Sequence, residues 1–242
     1  MIKSLYTFGC SFTRDNYQPT WADLVADHYD LELHNRAERG CGSSYITKRL
    51  LISQDIDADN SLVAIMWPCA DRYDLWADST TPHLVDEYDL ASWPDGKSPQ
   101  LVDLHGNRRL DQGFILNGSV PRGYKHYYYK YFYSAYQAVH DWYVDIITAQ
   151  LYLDQIKVPY IMMSAFPITN PLQYHIDKYE QESQLLDLVR FDRFVDRSFD
   201  LGFYHWCKGQ NFSWLDQNHP KTEAHQRYIN EFVIPKIDLI IA

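Results

Sequence analysis

Ser61-Leu62-Val63-Ala64-Ile65-Met66-Trp67 is the stretch that decides the fold. Its centre is an unbroken apolar run. A strand with one wet face would alternate polar and apolar residues. An unbroken run predicts a strand covered on both faces, as in a parallel sheet between layers of helices. Upstream, Ile2 to Phe8 reads as a first strand, followed by a small-residue loop from Gly9 to Tyr17. Thr20 to Tyr29 carries Trp21, Leu24, Val25 and Tyr29 at helical spacing, with Thr20 as N-cap and Asp23 three residues on. Leu31 to His34 reads as a second strand, Asn35 to Ser44 as a second polar loop, and Ser44 to Ser53 as a helix. Downstream, a helix is expected over Tyr127 to Ile156 and a fourth buried strand over Val158 to Met163. Further helices are expected over Asp177 to Phe199 and Pro220 to Ile237, with Pro220 in a first turn where its missing N–H costs nothing. This alternation predicts an α/β fold: a mostly parallel sheet with helices on both faces.

The pattern breaks once. Residues 74–125 hold scattered Asp, several Pro and Gly, and little periodicity. They read as an irregular insertion in a single domain spanning residues 1–242, with a hairpin near Val102 to Arg109 turning at His105-Gly106-Asn107. So long a loop in a compact domain usually serves function or interaction.

With 242 residues, 46% of them hydrophobic, the chain can build one sizeable core. Its net charge of −10 repels phosphate backbones, which argues against nucleic-acid partners. Met1 to Tyr6 lacks the apolar region of a signal peptide, and no window approaches a membrane span. A cytoplasmic protein is therefore expected. The four cysteines, Cys10, Cys41, Cys69 and Cys207, form no C-x-x-C pair and no zinc-like spacing with histidine. Cys10, Cys41 and Cys69 each fall in a loop after a strand. They read as small packing residues or as a thiol-sensitive site.

In a parallel sheet, the loops after the strand ends gather at one edge, where ligands bind. Ser11 lies in the first of these loops. A serine hydroxyl becomes a useful nucleophile only beside a base. Near the other end, Asp216 and His219 stand three apart, so that a carboxylate can hold the imidazole in one tautomer and leave the far nitrogen free as a base. His225 is expected on an exposed helix face.

Taken together, Gly9-Cys10-Ser11-Phe12-Thr13 after the first strand and Asp216-x-x-His219 before the last helix resemble the SGNH/GDSL hydrolase family. Asn35 to Ser44 resembles its second block, with Gly40 the best match for the oxyanion glycine, and Trp21-Ala22-Asp23-Leu24 resembles a stretch found in some members. The third block departs. Its usual asparagine is absent from Met66-Trp67-Pro68-Cys69-Ala70-Asp71-Arg72, whereas Trp67 and Arg72 fit a branch of short members.

The resemblance implies a three-layer α/β/α sandwich with a flavodoxin-like sheet. It also implies a serine esterase with Ser11 as nucleophile, His219 as base and Asp216 as orienting acid. The N–H groups of Ser11 and Gly40 would form the oxyanion hole, with Arg72, Trp67 and Asn35 as candidate substrate contacts, Arg72 either binding an anionic substrate group or bracing its loop in a structural ion pair. The expected substrate is a small-molecule or carbohydrate ester, such as an O-acetyl group. The mechanism requires no cofactor and no metal. The alternative is a non-catalytic binding or assembly module that keeps the fold, favoured by the absent asparagine and the tyrosine-rich stretch from Tyr124 to Tyr136.

Overall fold

The computed structural model describes residues 1–15, 17–78, 101–109, 112–116, 128–169, 184–195, 198, 200–215 and 219–242. Four strands form a parallel sheet: β1 (Ser4–Gly9), β2 (Glu32–Asn35), β3 (Ser61–Trp67) and β8 (Tyr160–Ser164), in the order β2-β1-β3-β8. Every residue of β3 and β8 is buried, as an unbroken apolar run requires. Helix α1 (Trp21–Tyr29) packs with the C-terminal helical run, which is Thr222–Tyr228, a π-helical turn Ile229–Val233 and Ile234–Ile241. Helix α2 (Ser43–Leu51) packs with α3 (Ala135–Ile156). These two layers fall on opposite faces of the sheet, because the crossovers leading to β2 and to β3 run in opposite directions from β1 and parallel crossovers are as a rule right-handed. The fold is thus α/β with a parallel sheet. Trp21, Trp67, Trp142, Tyr45, Tyr160 and Tyr228 are among the largest fully buried side chains.

The insertion differs from its expectation. Its described parts form a second sheet, wholly antiparallel: β4 (Asp74–Asp78), β5 (Leu101–Val102), β6 (Arg108–Arg109) and β7 (Gln112–Leu116), in the order β4-β7-β5-β6. Strands of two residues are too short to leave a period in the sequence. The expected hairpin is present: β5 pairs with β6, and the Asp103 carboxylate accepts from the backbone N–H of His105 at 2.8 Å and of Asn107 at 2.9 Å.

Three other expectations need correction. Within the segment read as a helix over residues 177–199, the described part instead holds two short 3-10 turns, Leu186–Leu188 and Phe191–Arg193. It then runs along the free edge of β8, where Phe194 bridges to Met162 and the Val195 N–H donates to the Met162 carbonyl at 2.9 Å. Residues 177–183, 196, 197 and 199 lie outside the described residues. The Tyr127 to Ile156 pattern resolves into a π-helical turn, Tyr128–Phe132, and then α3, whose N-cap Ser134 accepts from Gln137 N–H at 3.3 Å. Pro220 sits in no helix. It pairs with Trp214 in an antiparallel bridge, flanked by Leu215 N–H to His219 carbonyl at 2.8 Å and Lys221 N–H to Ser213 carbonyl at 2.9 Å. A helix over Gly202–Gly209, here α4, was not foreseen.

Candidate active site

The strand order reverses direction at β1, so the crevice of the sheet lies beyond the carboxyl ends of β1 and β3. Ser11 follows β1 there, in a tight turn where the N–H groups of Thr13 and Arg14 both return to the Cys10 carbonyl, at 2.9 and 3.2 Å. Its residue exposure is only 9%. The turn is tied forward to α1: the Thr20 hydroxyl donates to the Thr13 carbonyl at 2.9 Å, and the Asp23 carboxylate accepts the Thr20 N–H at 2.8 Å. The predicted cap is therefore in place, with its hydroxyl turned back to hold the serine loop.

The second loop is stitched to the first. Asn35 Nδ2 donates to the Thr13 carbonyl at 2.9 Å while its Oδ1 accepts the Ala37 N–H at 3.1 Å. The Gly9 carbonyl receives the Glu38 N–H at 3.0 Å and the Cys41 thiol at 3.3 Å. Gly40 closes this loop at φ 80°, a left-handed conformation that a Cβ would strain.

His219 comes from the far end of the chain to the same place. Its ring packs on Phe12, the residue after Ser11, with centroids 5.6 Å apart. No hydrogen bond joins Ser11 to His219 among the described residues, and catalytic hydrogen bonds are often long until substrate is bound. Behind His219 lies His225, which was expected on an exposed face and is instead 2% exposed. Its Nδ1 accepts the Trp21 N–H at 3.2 Å, so this nitrogen carries no proton. Burial, reinforced by the nearby His219, pushes its pKa down to about 3. His225 is thus a neutral imidazole at ordinary pH.

The opposite flank of these loops is acidic. Asp74, at the start of β4, sits over the N-terminus of α2 and accepts the N–H groups of Gly42 and Tyr45, each at 2.8 Å. Asp145 of α3 accepts the Ser43 hydroxyl at 2.6 Å. Both carboxyls are pushed up to about 6. Desolvation is the main cause in each, and it outweighs the N–H donors at Asp74 and the hydroxyl at Asp145. Arg72, Asp74, Asp145, Ser43, Tyr73 and Tyr128 line a cavity of about 420 Å³ here. The Arg72 guanidinium donates to the Cys41 carbonyl at 3.4 Å, and Cys10, Cys41 and Cys69 all lie close enough to influence its charge. The three thiols do converge, as their places in the loops suggested. All are buried, and desolvation pushes Cys41 and Cys69 well up.

The structure thus brings Ser11, Gly40, Asn35, Arg72 and His219 to one edge. Asp216 lies outside the described residues. Trp67 is fully buried, its indole N–H directed at Met162 Sδ at 3.5 Å, which places it in the core rather than in the crevice. Both ends of the Asn35 amide are spent on backbone, so its observed work is to brace two loops. Sequence reading missed Gln18, Asp74 and Asp145 and misplaced His225. Each meets backbone or side chains from distant segments, and no local spacing announces such a contact. Among the described residues, no group of three or more His, Cys, Asp or Glu could hold a metal ion. No helix among them is long and apolar enough to cross a membrane.

No protein-family model matches the chain, and no curated protein matches it. Solved structures similar to it include the protein YxiM from Bacillus subtilis, at 8% identity and a TM-score of 0.36, covering 99% of this chain and 49% of that one. Another is an acetyl xylan esterase from the rumen bacterium Butyrivibrio proteoclasticus, at 10% identity and a TM-score of 0.32, covering 70% of this chain and 50% of that one. The chain accounts for about half the length of each. At these scores the likenesses carry no argument about activity, and the fold rests on the chain's own strand order.

Proposed function

We propose that the chain is a serine ester hydrolase. The observation that carries this reading is the packing of His219 on Phe12, which sets an imidazole from the end of the chain beside the Ser11 turn at the crevice of the sheet. In the proposed reaction His219 takes the proton from Ser11 Oγ as the oxygen attacks an ester carbonyl. Asp216 orients the imidazole and steadies its charged form. The Ser11 and Gly40 N–H groups hold the oxyanion. The alcohol leaves with the proton held by His219, and a water deprotonated by the same histidine then releases the acid from the acyl-enzyme. Arg72 is the proposed contact for a polar substrate group. The cavity beside it, lined by carboxylates and by Tyr73 and Tyr128, supports a hydroxyl-rich substrate such as an O-acetylated carbohydrate. Hydrolysis of p-nitrophenyl acetate tests the reading. Ser11→Ala and His219→Ala should each lower kcat by about a thousandfold or more. Wild-type rates in either variant would end it.

A second reading, a binding module that has lost catalysis, is supported by the loop after β3. There Pro68 gives its carbonyl to the Trp142 indole at 2.9 Å and Cys69 is buried, so this loop itself offers no amide side chain in place of the absent asparagine. A chain folded as described but inert toward a panel of acyl esters would favour it.

A further inference from the structure

The Ser11 turn and the His219 segment are joined by a second set of contacts. Gln18 Nε2 donates to the Pro220 carbonyl at 2.8 Å. Its Oε1 accepts the Thr222 N–H at 3.0 Å and the Thr222 hydroxyl at 3.2 Å. That hydroxyl also reaches the Pro19 carbonyl at 3.0 Å. One amide side chain, from the loop that bears Ser11, therefore grips the backbone on both sides of Lys221. Three residues further on, His225 accepts the Trp21 N–H, the first of α1, and its ring also faces the Pro220 carbonyl.

The two grips differ in kind from ordinary core packing. Both act on the residue that follows His219, and both start from the residues that follow the Ser11 turn. Between them the aromatic rings form a continuous wedge. Phe203 of α4 meets His225 at 4.8 Å and Phe12 at 5.7 Å, and Phe12 meets His219. The position of the His219 imidazole relative to Ser11 is thereby set from two directions: by hydrogen bonds on the backbone that follows it, at Pro220 and Thr222, and by rings on its side chain.

We infer that Gln18 and His225 are positioning residues for His219, holding its backbone in register with the Ser11 turn. The inference rests on the proposed hydrolase reading for its catalytic readout, and on geometry alone for its structural one. A base held in place by remote contacts should lose rate when they are cut, while the affinity for substrate stays. Removing the Gln18 amide therefore lowers kcat and leaves KM.

The test uses the full chain with Gln18→Met, which keeps length and volume, Gln18→Glu, which keeps the acceptor for Thr222 and loses the donor to Pro220, and His225→Asn. Expected is a fall in kcat on p-nitrophenyl acetate of about tenfold for Gln18→Met, and at least as much for Gln18→Glu, whose carboxylate sets an acceptor against the Pro220 carbonyl, with KM within about twofold of wild type. Titration of competent sites with a fluorophosphonate separates a slower enzyme from a smaller folded fraction. In parallel, the imidazole resonances of His219, assigned by their loss in His219→Ala, should shift in Gln18→Met and His225→Asn. Unchanged kcat together with unchanged His219 resonances in folded Gln18→Met would overturn the inference. Should Ser11→Ala hydrolyse ester as wild type does, the hydrolase reading falls, and the His219 resonances still decide the clasp. Gln18 is only part-buried, so its variants keep the test open even where His225→Asn fails to fold.

Discussion

The two flanks of the sheet's carboxyl edge hold buried titratable groups of opposite kind. On the His219 flank the group is His225, an imidazole kept neutral by burial and by the Trp21 N–H it accepts. On the Arg72 flank it is a pair of carboxyls, Asp74 and Asp145, each pushed up to about 6. Desolvation is the leading cause on both sides, yet it moves a base down and acids up. The flanks must therefore answer pH in opposite directions. For His225, the unfolded imidazole takes its proton near 6.5 and the folded one only near 3, so stability is full above 6.5 and drains away as pH falls. For the two aspartates, the unfolded carboxyl ionises near 3.8 and the folded one near 6, so stability is full below 3.8 and is lost as pH rises through 6.

The largest effect should come from His225→Phe. It leaves the Trp21 N–H buried without its acceptor, which costs about 1–3 kcal/mol at pH 7. Because the variant has no imidazole to protonate, the difference from wild type should shrink by about 2–3 kcal/mol between pH 7 and 4.5, at roughly 1.4 kcal/mol per unit. Urea unfolding at the two pH values measures both quantities. A difference that is constant with pH would mean that His225 does not set the response of its flank.

Asp145→Asn should act with the reverse sign. It removes a carboxylate that is costly to ionise, so the variant is expected to be more stable than wild type at pH 8, by about 1–3 kcal/mol, and equal to it near pH 4. Thermal melts at the two pH values check this. A loss of stability at pH 8 would show that the Ser43 hydroxyl and the α2 N-terminus outweigh desolvation after all.

An effect of similar size is expected at Gly202, which opens α4 and so carries Phe203 into the aromatic wedge. Its φ is 65°, and an added Cβ would fall 2.5 Å from the Phe166 backbone. Gly202→Ala should cost about 1–3 kcal/mol in a denaturant titration through backbone strain. It should also slow the proposed ester hydrolysis, because Phe203 seats both Phe12 and His225. The smallest effect is a chemical one. All four cysteines are buried, so none should react quickly with Ellman's reagent in the folded protein, and all should do so once it is unfolded. One fast thiol among Cys10, Cys41 and Cys69 would restore the thiol-sensitive reading of that flank.

These flanks also show what a sequence can disclose. The central strands were legible because burial on both faces writes an unbroken apolar run, as in Leu62 to Met66. Helix α1 was legible from Thr20, Asp23 and its spacing. The second sheet was not, because two of its strands have only two residues each and its pairs are spread across a long interval of the chain. His225 was misplaced for a different reason. Helical spacing says which residues share a face, but not that α1 lies over that face. Ser11 and His219 stood out only together, through their order and their places after the first strand and before the last helix, since each alone is more often structural. Gln18, Asp74 and Asp145 did not, because an amide or carboxylate that binds backbone looks like any polar surface residue until its partner is known.

The clasp of Gln18 and His225 has one more consequence, in time rather than in space. The Gln18–Pro220 and Trp21–His225 bonds close spans of 202 and 204 residues. Contacts of such separation form late, after local helices and neighbouring strands have reduced the search. The serine turn can be built early from its own neighbours, whereas its imidazole arrives only when the whole intervening sheet is in place. During refolding, helical signal should therefore return before the proposed esterase activity, which would make the chemistry of this edge a report on completed topology.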